Sequence, residues 1–237
     1  MLGASQGMGL AIAEALAAEG ANVAMFARRA DVVEREAARI GALAVPGDLT
    51  RAADLERLVA SAVEAFGGID VVVLNGGGPP PGAAADVTAA DVVAAVELLL
   101  IPHVRLVGLC LPYLRASGRG RIVAIESTSV KEPIADLALS NAVRPGVVGW
   151  LKTLARELGP DGITVNTIAP GRIDTERLRE LNGPDGPPPE ALALIPARRV
   201  GSPTEIAATV CFLASEQASY VNGAVVPVDG GMLHGLS

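Results

Sequence analysis

With 237 residues, half of them hydrophobic and only 3% aromatic, the chain is sized for one α/β domain whose core is built from Ala, Val, Leu and Ile. Its net charge of −7 and pI near 4.9 exclude nucleic acid and anionic membrane surfaces as its main partners. No apolar run reads as a membrane span, no signal peptide opens the sequence and no metal-ligand spacing occurs, so the expectation is a soluble cytoplasmic protein without a metal.

The first feature in chain order is the turn Gly3-Ala4-Ser5-Gln6-Gly7-Met8-Gly9, which runs into the helical pattern Leu10–Glu19. Glycines let a backbone approach phosphates closely, and the free N–H groups and positive end of the following helix attract their charge. A tight strand-to-helix turn needs glycine even without a ligand, so the motif alone does not settle the matter. Such a loop follows a buried strand of about 5 residues, yet only Met1 and Leu2 precede Gly3. Two outcomes are open: an upstream apolar segment of about 8 to 12 residues supplies that strand, or the fold tolerates a two-residue stub.

Beyond the turn, short apolar runs at Asn22–Ala27, Ala42–Pro46, Ile69–Leu74, Arg121–Glu126, Ile163–Ile168 and Ala224–Val228 alternate with helical patterns at Asp31–Ile40, Ala52–Phe66, Thr88–Arg115, Leu137–Leu158 and Pro203–Ala214. The alternation predicts a Rossmann-like, doubly wound parallel sheet, one domain over residues 1–237, with a ligand crevice beyond the carboxyl ends of the strands. One long irregular stretch, Arg172–Arg199, carries Asn182-Gly183-Pro184-Asp185-Gly186-Pro187-Pro188-Pro189 and reads as a substrate lid near residues 172–200. Cys110 and Cys211 fall in apolar helical stretches and read as buried free thiols.

The loops at the predicted strand ends agree with one another. Together Gly3-xxx-Gly7-x-Gly9, Gly47-Asp48-Leu49, Leu74-Asn75-Gly76-Gly77-Gly78, Ile125-Glu126-Ser127, Asn166-Thr167-Ile168-Ala169-Pro170-Gly171 and Val228-Asp229-Gly230-Gly231 resemble, in order and spacing, the short-chain dehydrogenase/reductase superfamily. The resemblance covers essentially the whole chain. It is strongest to the 3-oxoacyl-acyl-carrier-protein reductase-like branch, through Gly76–Gly82 and Ser129-Val130-Lys131-Glu132-Pro133.

That resemblance implies a nicotinamide dinucleotide. Gly3, Ser5, Gln6, Gly7 and Gly9 would cradle its pyrophosphate, Asp48 and Leu49 flank adenine, Asn75 and Gly76 line the groove, and Pro170, Gly171, Ile173 and Thr175 meet the nicotinamide end. Asp48 also suits capping of a helix beginning near Thr50. An acid that binds the ribose 2′-hydroxyl is expected about 20 residues past the glycine loop, where Ala27-Arg28-Arg29 stands instead. Loss of the anion and gain of guanidinium forks favour NADP over NAD, with Arg28 as the contact; a pair of solvated arginines is the alternative.

The family's catalytic tetrad is Asn, Ser, Tyr and Lys. Registering Gly146-Val147-Val148-Gly149 on the corresponding helix puts Leu99 at the Asn position, Ser127 at Ser, Ser140 at Tyr and Arg144 at Lys. The four-residue step from Ser140 to Arg144 keeps both on one helix face. A phenol titrates near 10 and a neighbouring cation pulls it toward neutrality, whereas a serine hydroxyl is a poor acid. Arg144 can hold ribose hydroxyls and stabilise negative charge without releasing its proton. Pro102 removes the N–H that would bond the Leu98 carbonyl, which frees that carbonyl as a substitute water anchor for Leu99. Glu126, Lys131 and Glu132 are the reserve acids, although loop charges of this kind are ordinarily solvated. His103 and His234 lie in no motif and read as core or interface residues, and Tyr113 as a packing residue of its helix.

Two functions follow as expectations: an NADP(H)-dependent oxidoreductase on a small carbonyl or alcohol substrate, with Ser127, Ser140 and Arg144 at its centre, or a nucleotide-binding sensor or scaffold of the same fold. The apolar, Ala-rich helices Thr88–Arg115 and Leu137–Leu158, whose family equivalents pack between subunits, point to a homotetramer, with a dimer next.

Overall fold

A computed structural model describes residues 1–183 and 186–235. Six strands, β1 (Ala24–Ala27), β2 (Leu43–Pro46), β3 (Val71–Asn75), β4 (Arg121–Ile125), β5 (Thr164–Pro170) and β6 (Val225–Val228), alternate with helices α1 (Gly7–Ala18), α2 (Ala30–Ile40), α3 (Ala52–Phe66), α4 (Ala89–Leu99), α5 (Ile101–Ser117), α6 (Ala138–Leu158), α7 (Glu176–Asn182), α8 (Pro189–Ala193) and α9 (Pro203–Ala214). All the strand pairs are parallel: β2 with β1, then β3, β4, β5 and β6 in that order.

The two-residue stub fills the place between β1 and β3. Leu2 bridges Phe26 in parallel register and its N–H donates to Val73 O at 3.2 Å. On the other side the Phe26 and Ala4 N–H groups donate to Met1 O at 3.0 Å and Phe26 O at 3.2 Å. Leu2 is fully buried, so the middle of the sheet holds a side chain rather than the hole its short lead-in suggests. Through this junction the strand order becomes that of a doubly wound Rossmann sheet, reversing direction at the glycine turn.

β4 and β5 are buried along their whole length, as expected where helices cover both faces of a parallel sheet. α3, α5 and α6 close one face around Leu55, Leu106, Leu114, Val147 and Leu151, while α1 and α9 close the other around Ile12, Ile206 and Val210. Cys110 lies in the first cluster, its thiol pushed up to about 12 by burial. Cys211, expected to be buried, is only half covered on the flank of α9, and Tyr113 packs half-buried against the first cluster.

Three readings of the sequence change. The helical pattern Thr88–Arg115 is two helices, because the chain turns at Leu100 (φ −106°, ψ −53°). Pro102 explains this: it cannot donate to the carbonyl four residues back, and its ring opposes a straight continuation. Contrary to the expectation, the joined segment Ala89–Ser117 is long and apolar enough, by length and composition, to cross a membrane; Leu99, Leu106, Val107, Cys110 and Leu114 of it are buried in the core, while Val93 and Val104 are exposed. The stretch Arg172–Arg199 is not irregular throughout, since it folds into α7, capped by Thr175, and α8, which begins at Pro189. Pro184 and Asp185, within the expected lid motif, lie outside the described residues.

Candidate active site

The glycine turn is built so closely that its residue types are dictated. A Cβ on Gly9 would stand 1.9 Å from Gly3 O, and Gly3 itself has φ +59°, a conformation that side chains resist. Asn75, at the end of β3, is 7% exposed and its Nδ2 donates to Leu2 O and Gly3 O, both at 3.3 Å. Asn75 therefore fastens the turn to the neighbouring strand. The first bond back along α1 is Leu10 N–H to Gln6 O at 3.2 Å, which leaves the N–H groups of its first turn pointing into the crevice.

Next to this turn stands the acid-free end of β1. Arg28 is exposed, as is Arg29, whose guanidinium donates to Gln6 Oε1 of the glycine turn. The sequence singled out Arg28 and missed this second link. Asp48 does not cap α3, which begins at Ala52; its Oδ1 accepts from the Thr50 N–H and hydroxyl at 2.9 and 2.8 Å. Those bonds hold its carboxyl below the usual range, and its own N–H donates to Asp54 Oδ2 at 2.9 Å. Leu49 packs half-buried beside the core.

On the far bank, Pro170 ends β5 and a Cβ on Gly171 would stand 2.7 Å from Asp229 Cα. Ile173 is buried, pairing with Gly201. Thr175 accepts from Leu178 N–H to start α7, and its methyl group lies 3.3 Å from where a Gly7 Cβ would be. α7 also reaches across the crevice, with Arg177 Nη2 donating to Pro79 O at 2.8 Å. Of the positions expected to hold a nucleotide, Arg28, Asp48, Asn75, Gly76, Pro170 and Gly171 end or follow the carboxyl ends of β1, β2, β3 and β5, and Ile173 and Thr175 follow β5, with Thr175 against Gly7 of the glycine turn that holds Gly3, Ser5, Gln6 and Gly9.

Of the positions expected to form the tetrad, Ser140 and Arg144 belong to a buried polar chain. Ser127 opens the turn after β4, its Oγ accepting from Ser129 N–H at 3.1 Å, and it is half-exposed toward the crevice. Ser129 Oγ is 3.1 Å from Ser140 Oγ, which accepts from Arg144 Nε at 3.2 Å. Arg144 Nη2 donates to Gly77 O at 3.2 Å, and Nη1 to Glu126 Oε2 at 2.8 Å. Leu99 is buried in the core with no polar group to offer. Glu126, read as a solvated loop charge, is instead completely buried at its side chain. Burial holds its carboxyl above the usual range, the Arg144 guanidinium offsetting only part of that rise. His103 lies beneath it, with Nδ1 3.8 Å from Glu126 Oε1. Glu132 is committed elsewhere, accepting from the His234 and Gly235 N–H groups at 2.8 Å.

A parallel sheet whose strand order reverses beside a glycine turn, with hydroxyls and a cation at the carboxyl end of β4 and the amino-terminal turns of α6, defines a Rossmann-like nucleotide-binding domain. Residues 3–233 match the family described as Enoyl-(Acyl carrier protein) reductase. The 3-oxoacyl-[acyl-carrier-protein] reductase MabA of Mycobacterium tuberculosis is 36% identical over 97% of this chain and 90% of its own length. The corresponding FabG of Vibrio cholerae is 34% identical over 97% and 94%. Among solved structures, YwfH, an NADPH-dependent reductase of bacilysin biosynthesis, superposes with a TM-score of 0.94 at 27% identity, covering 99% of this chain and 97% of that one. L-Sorbose reductase of Gluconobacter frateurii, solved with NADPH and L-sorbose, gives 0.91 at 32% identity over 100% and 96%. The chain belongs to the short-chain dehydrogenase/reductase superfamily of oxidoreductases, in its 3-oxoacyl-acyl-carrier-protein reductase-like branch.

Proposed function

We propose that the protein is an NADP(H)-dependent reductase of a small carbonyl substrate, working with an altered catalytic centre. The observation that carries this reading is the Gly9 cradle, which any side chain would fill, together with the half-exposed Ser127 at the carboxyl end of β4. NADPH supplies a hydride when bound. Gly3, Ser5, Gln6, Gly7 and Gly9 bind its pyrophosphate through backbone N–H groups, and the guanidinium of Arg28 meets the 2′-phosphate, helped by Arg29. Asp48, Leu49, Asn75 and Gly76 line the groove, and Pro170, Gly171, Ile173 and Thr175 enclose the nicotinamide end. Ser127 orients the substrate carbonyl by donating to its oxygen. Arg144 steadies developing negative charge there and holds ribose hydroxyls, while Ser140 serves as a weak proton donor in contact with both Arg144 and Ser129. The segment 172–200 acts as the lid.

The test is NADPH oxidation with a panel of ketones and β-keto thioesters, beside fluorescence titrations of NADPH and NADH. Turnover with tighter NADPH binding is expected, and no turnover on any member combined with normal binding leaves the second reading, a nucleotide-binding sensor or scaffold. That second reading is favoured by one observation, the absence of a phenol at Ser140.

The same proposal places the protein in the cytoplasm as a homotetramer, with a dimer as the next simplest assembly. Its acidic charge supports the former, and the exposed Val93 and Val104 of α4 and α5 and Phe212 of α9 support the latter. A stable monomer at micromolar concentration in sedimentation would rule the assembly out.

A further inference from the structure

Glu126 and His103 have no part in the reaction as assigned above, yet both are buried against Arg144. Glu126 Oε1 and His103 Nδ1 face each other at 3.8 Å, and each lacks a hydrogen-bond partner. Burial lowers His103 to about 3, so its imidazole is neutral at ordinary pH beside the Arg144–Glu126 pair, whose atoms stand 2.8 Å apart. A buried ion pair of this kind adds little net stability compared with apolar side chains of the same volume. What it does supply is geometry. Arg144 has five N–H groups. One is taken by Ser140 Oγ, one by Glu126 Oε2 and one by Gly77 O, leaving one on each terminal nitrogen. With three held, the direction of the other two is fixed.

We propose that Glu126, backed by neutral His103 with its proton on Nδ1, is a positioning residue that locks the Arg144 fork so that its two remaining N–H groups face the ribose and substrate oxygens. His103 stands four residues beyond Leu99, so the polar group missing at Leu99 is supplied one turn later and on the other side of the break at Leu100. A lysine at position 144 would need no such brace, since a rotating ammonium has no fixed plane to orient, whereas a planar guanidinium does. This inference rests on Arg144 being a cofactor contact.

The experiment is a double-mutant cycle read by NADPH titration, with melting temperature followed in parallel, on wild type, Glu126→Gln, Arg144→Met and the double variant. Gln keeps an acceptor oxygen for Nη1, so Glu126→Gln is expected to melt within a few degrees of wild type while weakening NADPH about 10-fold, with the loss shrinking to about 2-fold or less when Arg144 is already Met. His103→Leu is expected to weaken NADPH about threefold, again only with Arg144 present. If Glu126→Gln does not fold, Glu126→Asp, one methylene too short to keep the 2.8 Å contact, carries the same cycle. Losses of equal size in both backgrounds, or none with Arg144 present, overturn the positioning role. Wild type that binds neither NADPH nor NADH overturns the functional reading instead.

Discussion

The two banks of the crevice obey different rules. On the nucleotide bank, the glycine turn is held by backbone atoms and by Asn75 on backbone, and its glycines are the residues that close approach requires. On the other bank, around α6, Ser140 and Arg144 are knit together with Glu126, Ser129 and Gly77 through side-chain contacts. Backbone-built sites tolerate almost no substitution, because a Cβ has nowhere to go. Side-chain-built sites can be rebuilt as a set, provided charges stay paired and donors find acceptors.

The comparison breaks most sharply at Gly9. Gly9→Ala drives a methyl group into Gly3 O at 1.9 Å, and the expected outcome is loss of NADPH affinity by about 100-fold or more, roughly 3 kcal/mol, in fluorescence titration; near-normal binding would show that the turn does not carry the phosphates. Ser127→Ala on the opposite bank is expected to lower kcat by about 100-fold while leaving NADPH affinity within twofold, since one oriented donor to the carbonyl is lost. The converse experiment restores the family residues. Ser140→Tyr with Arg144→Lys is expected to raise turnover on β-keto thioesters by about 10-fold or more, part of the 10²–10⁴-fold that positioned acid catalysis contributes; an unchanged rate would place the proton donor elsewhere, with Glu126 and Lys131 the next to vary. Arg28→Glu should shift cofactor preference about 10-fold toward NADH by repelling the 2′-phosphate, measured by titrating both nucleotides.

A separate effect is on stability against pH. His103 is held near 3 when folded but titrates near 6.5 when unfolded. The unfolded chain therefore binds more protons between those values, and stability is present above 6.5 and lost as pH falls below it. Between pH 7 and 5 the loss is about 2 kcal/mol. Comparing wild type with His103→Phe by urea unfolding cancels the contribution of Glu126, which both share, and the advantage of wild type should narrow by that amount; a constant gap would mean His103 is not buried as a neutral imidazole.

Much of the nucleotide bank was legible because glycine spacing and strand-end residues are local signals. The four-residue step from Ser140 to Arg144 likewise predicted a shared face, and the two side chains do touch. What escaped was long-range. Glu126 reads as a solvated charge until Arg144 arrives from α6, 18 residues later, to compensate it. Asn75 was recognised by position, but its grip on the glycine turn joins residues 73 and 72 apart. Pro102 was seen as a lost N–H without the consequence that the helix itself would turn at Leu100, and Arg29 was passed over because its neighbour matched the expected position equally well.

α7 touches both banks at once, through the Thr175 methyl beside Gly7 and the Arg177 guanidinium on Pro79 O. It is a clasp, and a light one. A single hydrogen bond from a part-exposed guanidinium is worth about 1 kcal/mol, so unfastening it shifts the ratio of shut to open forms only about fivefold. A contact of that strength is one that thermal motion breaks and remakes readily.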